Sequence, residues 1–314
     1  MNTYKTENIS FFISRCLRKL SVSEKIQTNF NKRRHKNIEK KLDPIFQSSL
    51  RKVNRNDQEY SNHGPIWIFW WQGHEKMPPL VRACYDSVIK NRIKREVILI
   101  TKDNYMKYTD ISDNIINLLH EKKITLTHFS DILRFNLLKN NGGLWLDATI
   151  FVTKPISENY FQKVFTCSGY ENKDYFFVTQ GNWCGFLIGG AKNSILFDFM
   201  DVFFREYWNQ NDKLIDYFLI DYALNFAWKN NLSNFQEFTK KNIRKNNPNL
   251  FKLAPILNQK FNENDWNEIN QETGMYKLTY KRTLSSDKNT FYNTLIKKGG
   301  GLNNENSNYF CSRL

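Results

Sequence analysis

No apolar run in the 314 residues approaches the roughly 18–20 that a membrane-spanning helix needs. The N-terminus also lacks the 7–15-residue apolar stretch and small-residue cleavage site of a secretory signal. A cytoplasmic protein is the expectation. Cysteine is scarce and scattered: the five are Cys16, Cys84, Cys167, Cys184 and Cys311. No CxxC pair occurs and the number is odd, so neither a disulfide framework nor a zinc site is expected. His63, His74, His120 and His128 show no metal-ligand spacing. Motifs of several enzyme classes are missing as well. There is no GxGxxG, no HExxH and no GxSxG, and "GFLIGGAKN" lacks the GK[ST] ending of a P-loop.

What is present is apolar mass and positive charge. Hydrophobic residues make up 40% of the chain, with 25 Phe, 15 Tyr and 8 Trp, enough for a large core. The net charge is +15, but residues 1–55 hold 14 Lys/Arg against 4 Asp/Glu, so +10 of it lies there. A basic segment of this kind points to an anionic surface, either lipid or nucleic acid. Within it, "ISFFISRCLRKL" sets Ile9, Phe12, Cys16, Leu17 and Leu20 at helical spacing beside Arg15, Arg18 and Lys19. Such a helix either docks on the main domain or lies on an anionic membrane.

The body opens at Pro65. "IWIFWW" reads as a buried strand, "PPLVRACYDSVIKN" as a helix with prolines at its start, and "REVILIT" as a second buried strand. Strand, helix and strand within 40 residues predict a parallel pair with a right-handed crossover. "DNIINLLHEKK" is the next helix, and another starts near Thr127, stops at Gly142–Gly143 and leads into the strand "LWLD". The expected class is α/β, an open, mostly parallel sheet flanked by helices. Ligands of such sheets sit at the carboxyl ends of strands, so "WWQG", "LITKDN" and "WLDAT" should converge on one crevice. Further on, 194–208 and 214–229 read as helices, and "MYKLTYK" (275–281) as extended. The expected division is a basic helical extension over 1–60, a domain over 61–295 with halves at 61–155 and 156–295, and a flexible tail over 296–314.

The chemistry concentrates in "THFSDILRFNLLKNNGGLWLDATI". On a helix, Asp131 and Arg134 form an i,i+3 pair. Phe135 and Leu138 share their face, so something covers it. An acid and a base on a covered face must pair with each other or with a polar ligand. A carboxylate at a strand end, Asp147, joined to that helix through Gly142–Gly143, can line a site for a hydroxylated, phosphorylated ligand.

The run "SDILRxxxLxxxGGxWxDxT" resembles the nucleotide-sugar motif of GT-A glycosyltransferases, in the branch with the family-32 mannosyltransferases and the glucosylating domains of large clostridial toxins. With "PIWIFWWQG", "MPPLVRACYDS", "EVILITKDNY" and "GGLWLDATIFVTKPI", it looks like the bacterial capsular polysaccharide synthesis protein family. The resemblance is specific over about 65–155 and looser to about 295. It implies a GT-A fold and transfer of a sugar from a UDP- or GDP-sugar to a growing, lipid-linked glycan, with retention of configuration. Trp70 and Trp71 would border the nucleotide base. Asp131 and Arg134 would hold the donor sugar and ribose. Gly143, Asp147 and Thr149 would stand in the DxD-like motif, with Asp147 as the ligand for Mn²⁺ or Mg²⁺. Thr149 replaces the usual second carboxylate, so Lys277 is the alternative source of positive charge at the diphosphate. An inverting enzyme would need a base, for which Asp216 and Asp221 are candidates. A peripheral place on the inner face of the plasma membrane fits a lipid-linked acceptor. The competing class is a non-enzymatic basic module for nucleic acid or polyanion. Against it, most of the charge lies outside the patterned body and no RNA- or DNA-binding motif appears.

Overall fold

The computed structural model describes residues 9–53, 62–170 and 172–297. The N-terminal helices are α1 (Ile9–Lys19) and α2 (Glu24–Lys52). They are followed by β1 (Ile66–Phe69), α3 (Pro79–Asn91), β2 (Val97–Ile100), α4 (Tyr105–Tyr108), α5 (Asp113–His120), α6 (Leu126–Asn141) and β3 (Gly143–Leu146). Then come β4 (Ile150–Val152), β5 (Val164–Thr166), β6 (Leu187–Gly190), α7 (Ile195–Gln210), α8 (Leu219–Lys229), α9 (Phe235–Asn242), α10 (Leu253–Ile256), α11 (Glu263–Asn270) and β7 (Met275–Lys277). The class is the expected one: a five-stranded, mostly parallel sheet in the order β2-β1-β3-β6-β5, flanked by helices, with β4 and β7 as a separate pair. β1 and β2 are parallel, from Ile66 opposite Val97 to Phe69 opposite Ile100, with α3 as the crossover. β5 departs from that direction and runs antiparallel to β6.

The chain folds into two units, each assembled from three stretches. Unit 1 takes Met1–Gly64, Asp103–Trp145 and Tyr160–Lys245. Its helical layer is α2, α6, α7 and α8. α6 is buried on nearly every side, with Phe129, Ile132, Leu133, Phe135, Leu137 and Leu138 all in the core. This is why its Asp–Arg face is covered. Gly142 (φ +66) and Gly143 (φ +105) end the helix in conformations that side chains rarely adopt. α2 is also a core element. Its buried positions recur every three or four residues and include Ile38, Leu42, Ile45 and Phe46. The Phe46 ring lies 5.1 Å from Phe203 of α7 and 4.8 Å from Phe226 of α8. The segment read as an extension therefore supplies part of the unit's interior. α8 starts five residues later than the sequence pattern predicts. Asp216 accepts from the Phe218 N–H at 2.8 Å, a local bond that holds the chain in a turn there.

Unit 2 takes Pro65–Lys102, Leu146–Asn159 and Asn246–Leu314. α3 packs on β4. Leu80, Cys84, Phe151, Leu253, Trp266 and Tyr276 are among the side chains of its core. β4 and β7 pair antiparallel, with Ile150 opposite Lys277 and Val152 opposite Met275. All but the first two residues of the expected tail over 296–314 lie outside the described residues.

Candidate active site

In unit 1, the N-cap Thr125 accepts from the His128 N–H at 3.2 Å and sets the phase of α6. His128, Asp131 and Arg134 then follow at successive turns. Trp208 Nε1 donates to His128 Nε2 at 3.1 Å. An indole N–H can only donate, so Nε2 is the acceptor and the neutral imidazole carries its proton on Nδ1. That nitrogen faces Asp131 Oδ2 at 3.7 Å. Arg134 Nη1 meets Asp131 Oδ1 at 3.1 Å, and its guanidinium lies 4.9 Å from the Trp145 ring centre. A Cβ on Gly185 would come within 3.1 Å of both Arg134 Nη1 and Ile220 Cδ1, so glycine lets that loop close over the arginine. The Arg134 side chain is 4% exposed and that of Asp131 is 16%. The carboxylate is thus the member of the pair that can meet a ligand, and the guanidinium is its anchor.

Asp221 joins this group. Trp183 Nε1 donates to its Oδ1 at 3.3 Å. Burial pushes its carboxyl up to about 7, and the negative charges of Asp131 and Asp216 add to the rise. The Trp183 hydrogen bond and Arg134 oppose it. The sequence put Asp216 and Asp221 on equal terms; the structure separates them. Asp216 is fully buried, 3.8 Å from the Arg34 guanidinium, and burial raises its pKa. Asp221 is partly exposed. Between the ordinary carboxyl range and pH 7 the folded chain holds a proton on Asp221 that the unfolded chain has released. Stability therefore falls as pH rises through that window. Asp221→Asn removes this contribution, so its melting temperature should fall less than the wild type's between about pH 5 and 8. Parallel curves for the two proteins would overturn the assignment.

In unit 2 the polar residues after β3 are held by a turn, with the Ile150 N–H on the Asp147 carbonyl at 2.9 Å. The β4–β7 register, extended by the Leu278 N–H on the Thr149 carbonyl at 2.9 Å, brings Lys277 back beside this turn. Its Nζ donates to Asp147 Oδ2 at 2.7 Å and to Thr149 Oγ1 at 2.9 Å. Side-chain exposures of 17% for Lys277 and 29% for Asp147 leave the cluster open to a ligand. A divalent cation seeks several oxygen donors of its own. Here the Asp147 carboxylate and the Thr149 hydroxyl both accept from the Lys277 ammonium. No group of three or more His, Cys, Asp or Glu side chains among the described residues is arranged to hold a metal. A Mn²⁺ or Mg²⁺ at Asp147 would compete with the Lys277 ammonium for these oxygens.

Trp70 and Trp71 close β1, also in unit 2. The Trp70 N–H bonds to the Ile100 carbonyl at 3.0 Å, and the Trp71 carbonyl accepts from the Lys102 N–H at 3.1 Å. Trp70 is partly exposed, its indole N–H held by the Lys76 carbonyl at 3.3 Å. Its ring meets Tyr280 edge to face at 5.7 Å. Tyr280, 42% exposed, was not among the sequence candidates. It lies three residues past Lys277, in the turn that follows β7. Gly143 is buried, with its N–H on Asn62 Oδ1 at 2.9 Å. Of the sequence candidates, Asp131 and Arg134 are paired in unit 1, where Gly143 also lies. Asp147, Thr149 and Lys277 are clustered in unit 2, which also holds Trp70 and Trp71.

The fold is α/β, with one cluster of charged side chains in each unit, Asp131 with Arg134 in unit 1 and Asp147 with Lys277 in unit 2. The chain belongs to the capsular polysaccharide synthesis protein family, whose sequence model matches residues 18–295, and its role is accordingly in capsule biosynthesis. No curated protein and no solved structure matches it. The match takes in α2 as well as Lys277, the two features that local sequence patterns disclose least.

Proposed function

We propose that the protein is a glycosyltransferase that moves a sugar from a nucleotide-sugar donor to a growing, lipid-linked glycan of the capsule. The observation that carries this reading is the Lys277 ammonium between Asp147 and Thr149, partly open and at the end of a strand. As the bond between the anomeric carbon and the diphosphate oxygen breaks, the electron pair leaves with the diphosphate and the sugar becomes oxocarbenium-like. A positioned cation stabilises that leaving group, often the largest single catalytic contribution. Lys277 has this role, with Asp147 and Thr149 fixing its position. In unit 2, Trp70 with Tyr280 offers a face to the base; in unit 1, Asp131, braced by His128 and Arg134, offers an acceptor for sugar hydroxyls. The acceptor oxygen then bonds to the anomeric carbon; with retention, its proton can pass to the departing diphosphate oxygen, so no general base from the protein is required. Should configuration invert, Asp221, partly exposed, is a more accessible base than the fully buried Asp216.

A thermal-shift series with UDP-, GDP- and CDP-sugars tests this, each with Mn²⁺ and with a chelator. A true donor at 100 times its Kd adds about 2.7 kcal/mol of stability. One nucleotide class should stabilise the protein, and to the same extent in chelator. No shift with any nucleotide sugar, together with DNA binding that weakens steeply with salt, would favour the basic binding module instead.

A further inference from the structure

Helix α1 is docked by one face and bare on the other. Its docked face is Phe11, Ser14 and Arg18. Phe11 stacks on Tyr217 at 5.3 Å and meets Phe218 edge to face at 5.4 Å. Ser14 Oγ donates to Asn31 Oδ1 of α2 at 2.5 Å, and Arg18 Nε pairs with Asp174 Oδ2 at 3.0 Å. The opposite stripe is Ile9, Phe12, Ile13, Cys16 and Leu20, at i, i+3, i+4, i+7 and i+11. Leu20 continues the last turn through its N–H on the Cys16 carbonyl at 2.9 Å. Ile13 takes the place on this stripe that the sequence pattern gave to the half-buried Leu17. Ile9 is 64% exposed, Phe12 65% and Leu20 74%. A surface helix ordinarily turns its apolar stripe inward; this one turns it out. Cations border the stripe. Arg15, Arg18 and Lys19, with Phe12, Cys16 and Phe176, line a recess beside the helix.

We propose that α1 seats the protein on an anionic phospholipid bilayer. Ile9, Phe12 and Leu20 enter the boundary between headgroups and acyl chains, and Arg15 and Lys19 receive lipid phosphates in the adjoining recess. The charge selects this occupant over a second copy of the chain. A two-fold pair built on α1 would set the same cationic border against itself, in a chain of net charge +15. A bilayer rich in anionic lipid supplies the opposite sign. No helix among the described residues is long and apolar enough to cross a membrane, so α1 would lie in the interface plane. This inference does not depend on the transfer reaction.

The test is co-sedimentation of the full-length protein with vesicles of phosphatidylglycerol and phosphatidylcholine, and with phosphatidylcholine vesicles alone. Binding should need the anionic lipid and weaken as salt passes about 0.15 M, where the Debye length is ~8 Å. The double variant Phe12→Ser, Leu20→Ser should lose about tenfold or more in vesicle affinity, and Arg15→Glu with Lys19→Glu at least as much. All four positions face solvent, so melting temperatures should stay at the wild-type value, which checks the fold. Wild-type protein that ignores anionic vesicles at low salt would overturn the proposal. So would vesicle binding that the Phe12, Leu20 variant retains in full, since that is electrostatic adsorption without insertion. Self-association abolished by the same variant, without vesicle binding, would assign the stripe to a second copy and overturn it as well.

Discussion

Lys277→Met is expected to lower the turnover of sugar transfer by about 10²–10³-fold, the cost of removing one aimed electrostatic stabiliser from a developing oxyanion. The substitution keeps most of the side chain's length and deletes its charge. Asp147→Asn should be of similar severity for a different reason. It leaves the ammonium in the cluster but weakens the 2.7 Å bond that fixes its position. Neither change should unfold the protein. The pair is partly exposed, and such ion pairs contribute about 0–1 kcal/mol. Single-turnover rates with saturating donor separate the two possible roles. Loss confined to the chemical step places Lys277 on the leaving group; loss confined to donor affinity makes it a ground-state anchor. Full activity of a folded Lys277→Met protein, or activity restored to it by Mn²⁺ alone, would reject the lysine as the source of charge.

The candidate residues differ in how far they could be read from the chain. α6 and β3 declare themselves locally. An apolar period of 3.6 runs to a double glycine and is followed by a short apolar strand, so Asp131, Arg134 and Asp147 fall in order within 17 residues. Lys277 carries no such signal. It reaches Asp147 across 130 residues through a three-residue strand, and only the family resemblance pointed to it. β4 and β5, three residues each, are too short for alternation to register. Asp221 looked like one of two interchangeable acids in "IDYFLIDY". What distinguishes it is the indole of Trp183 and the field of Asp131, both set by tertiary packing.

α2 was hidden for another reason, and it leads to the second large effect. Its buried stripe is half polar: Gln27, Asn31, Arg34 and His35 form its first half, Ile38, Leu42, Ile45 and Phe46 follow, and Ser49 ends it. A search for apolar periodicity passes over such a helix and sees only its basic outer faces. Asn31 and His35 are bonded inside the unit. Asn31 Nδ2 donates to the Asp174 carbonyl at 2.8 Å, and His35 lies 2.7 Å from the Tyr222 hydroxyl. Burial, with the charge of Arg34 assisting, holds the His35 imidazole at a pKa of about 4, so it is neutral at pH 7. Deleting residues 1–60 would strip these partners and expose the rings of Phe203 and Phe226 that Phe46 covers. Phe46→Ala alone should cost about 3–5 kcal/mol, against a total stability of roughly 5–15 kcal/mol for a typical domain. The whole deletion should therefore abolish cooperative unfolding of unit 1 and leave the protein insoluble or molten. Chemical denaturation read by tryptophan fluorescence checks both. A truncated protein that melts cooperatively at the full-length temperature would show that α2 is an appendage after all. If α2 is core, membrane attachment has to be probed by surface substitutions on α1, because a truncation would lose vesicle binding merely by losing the fold.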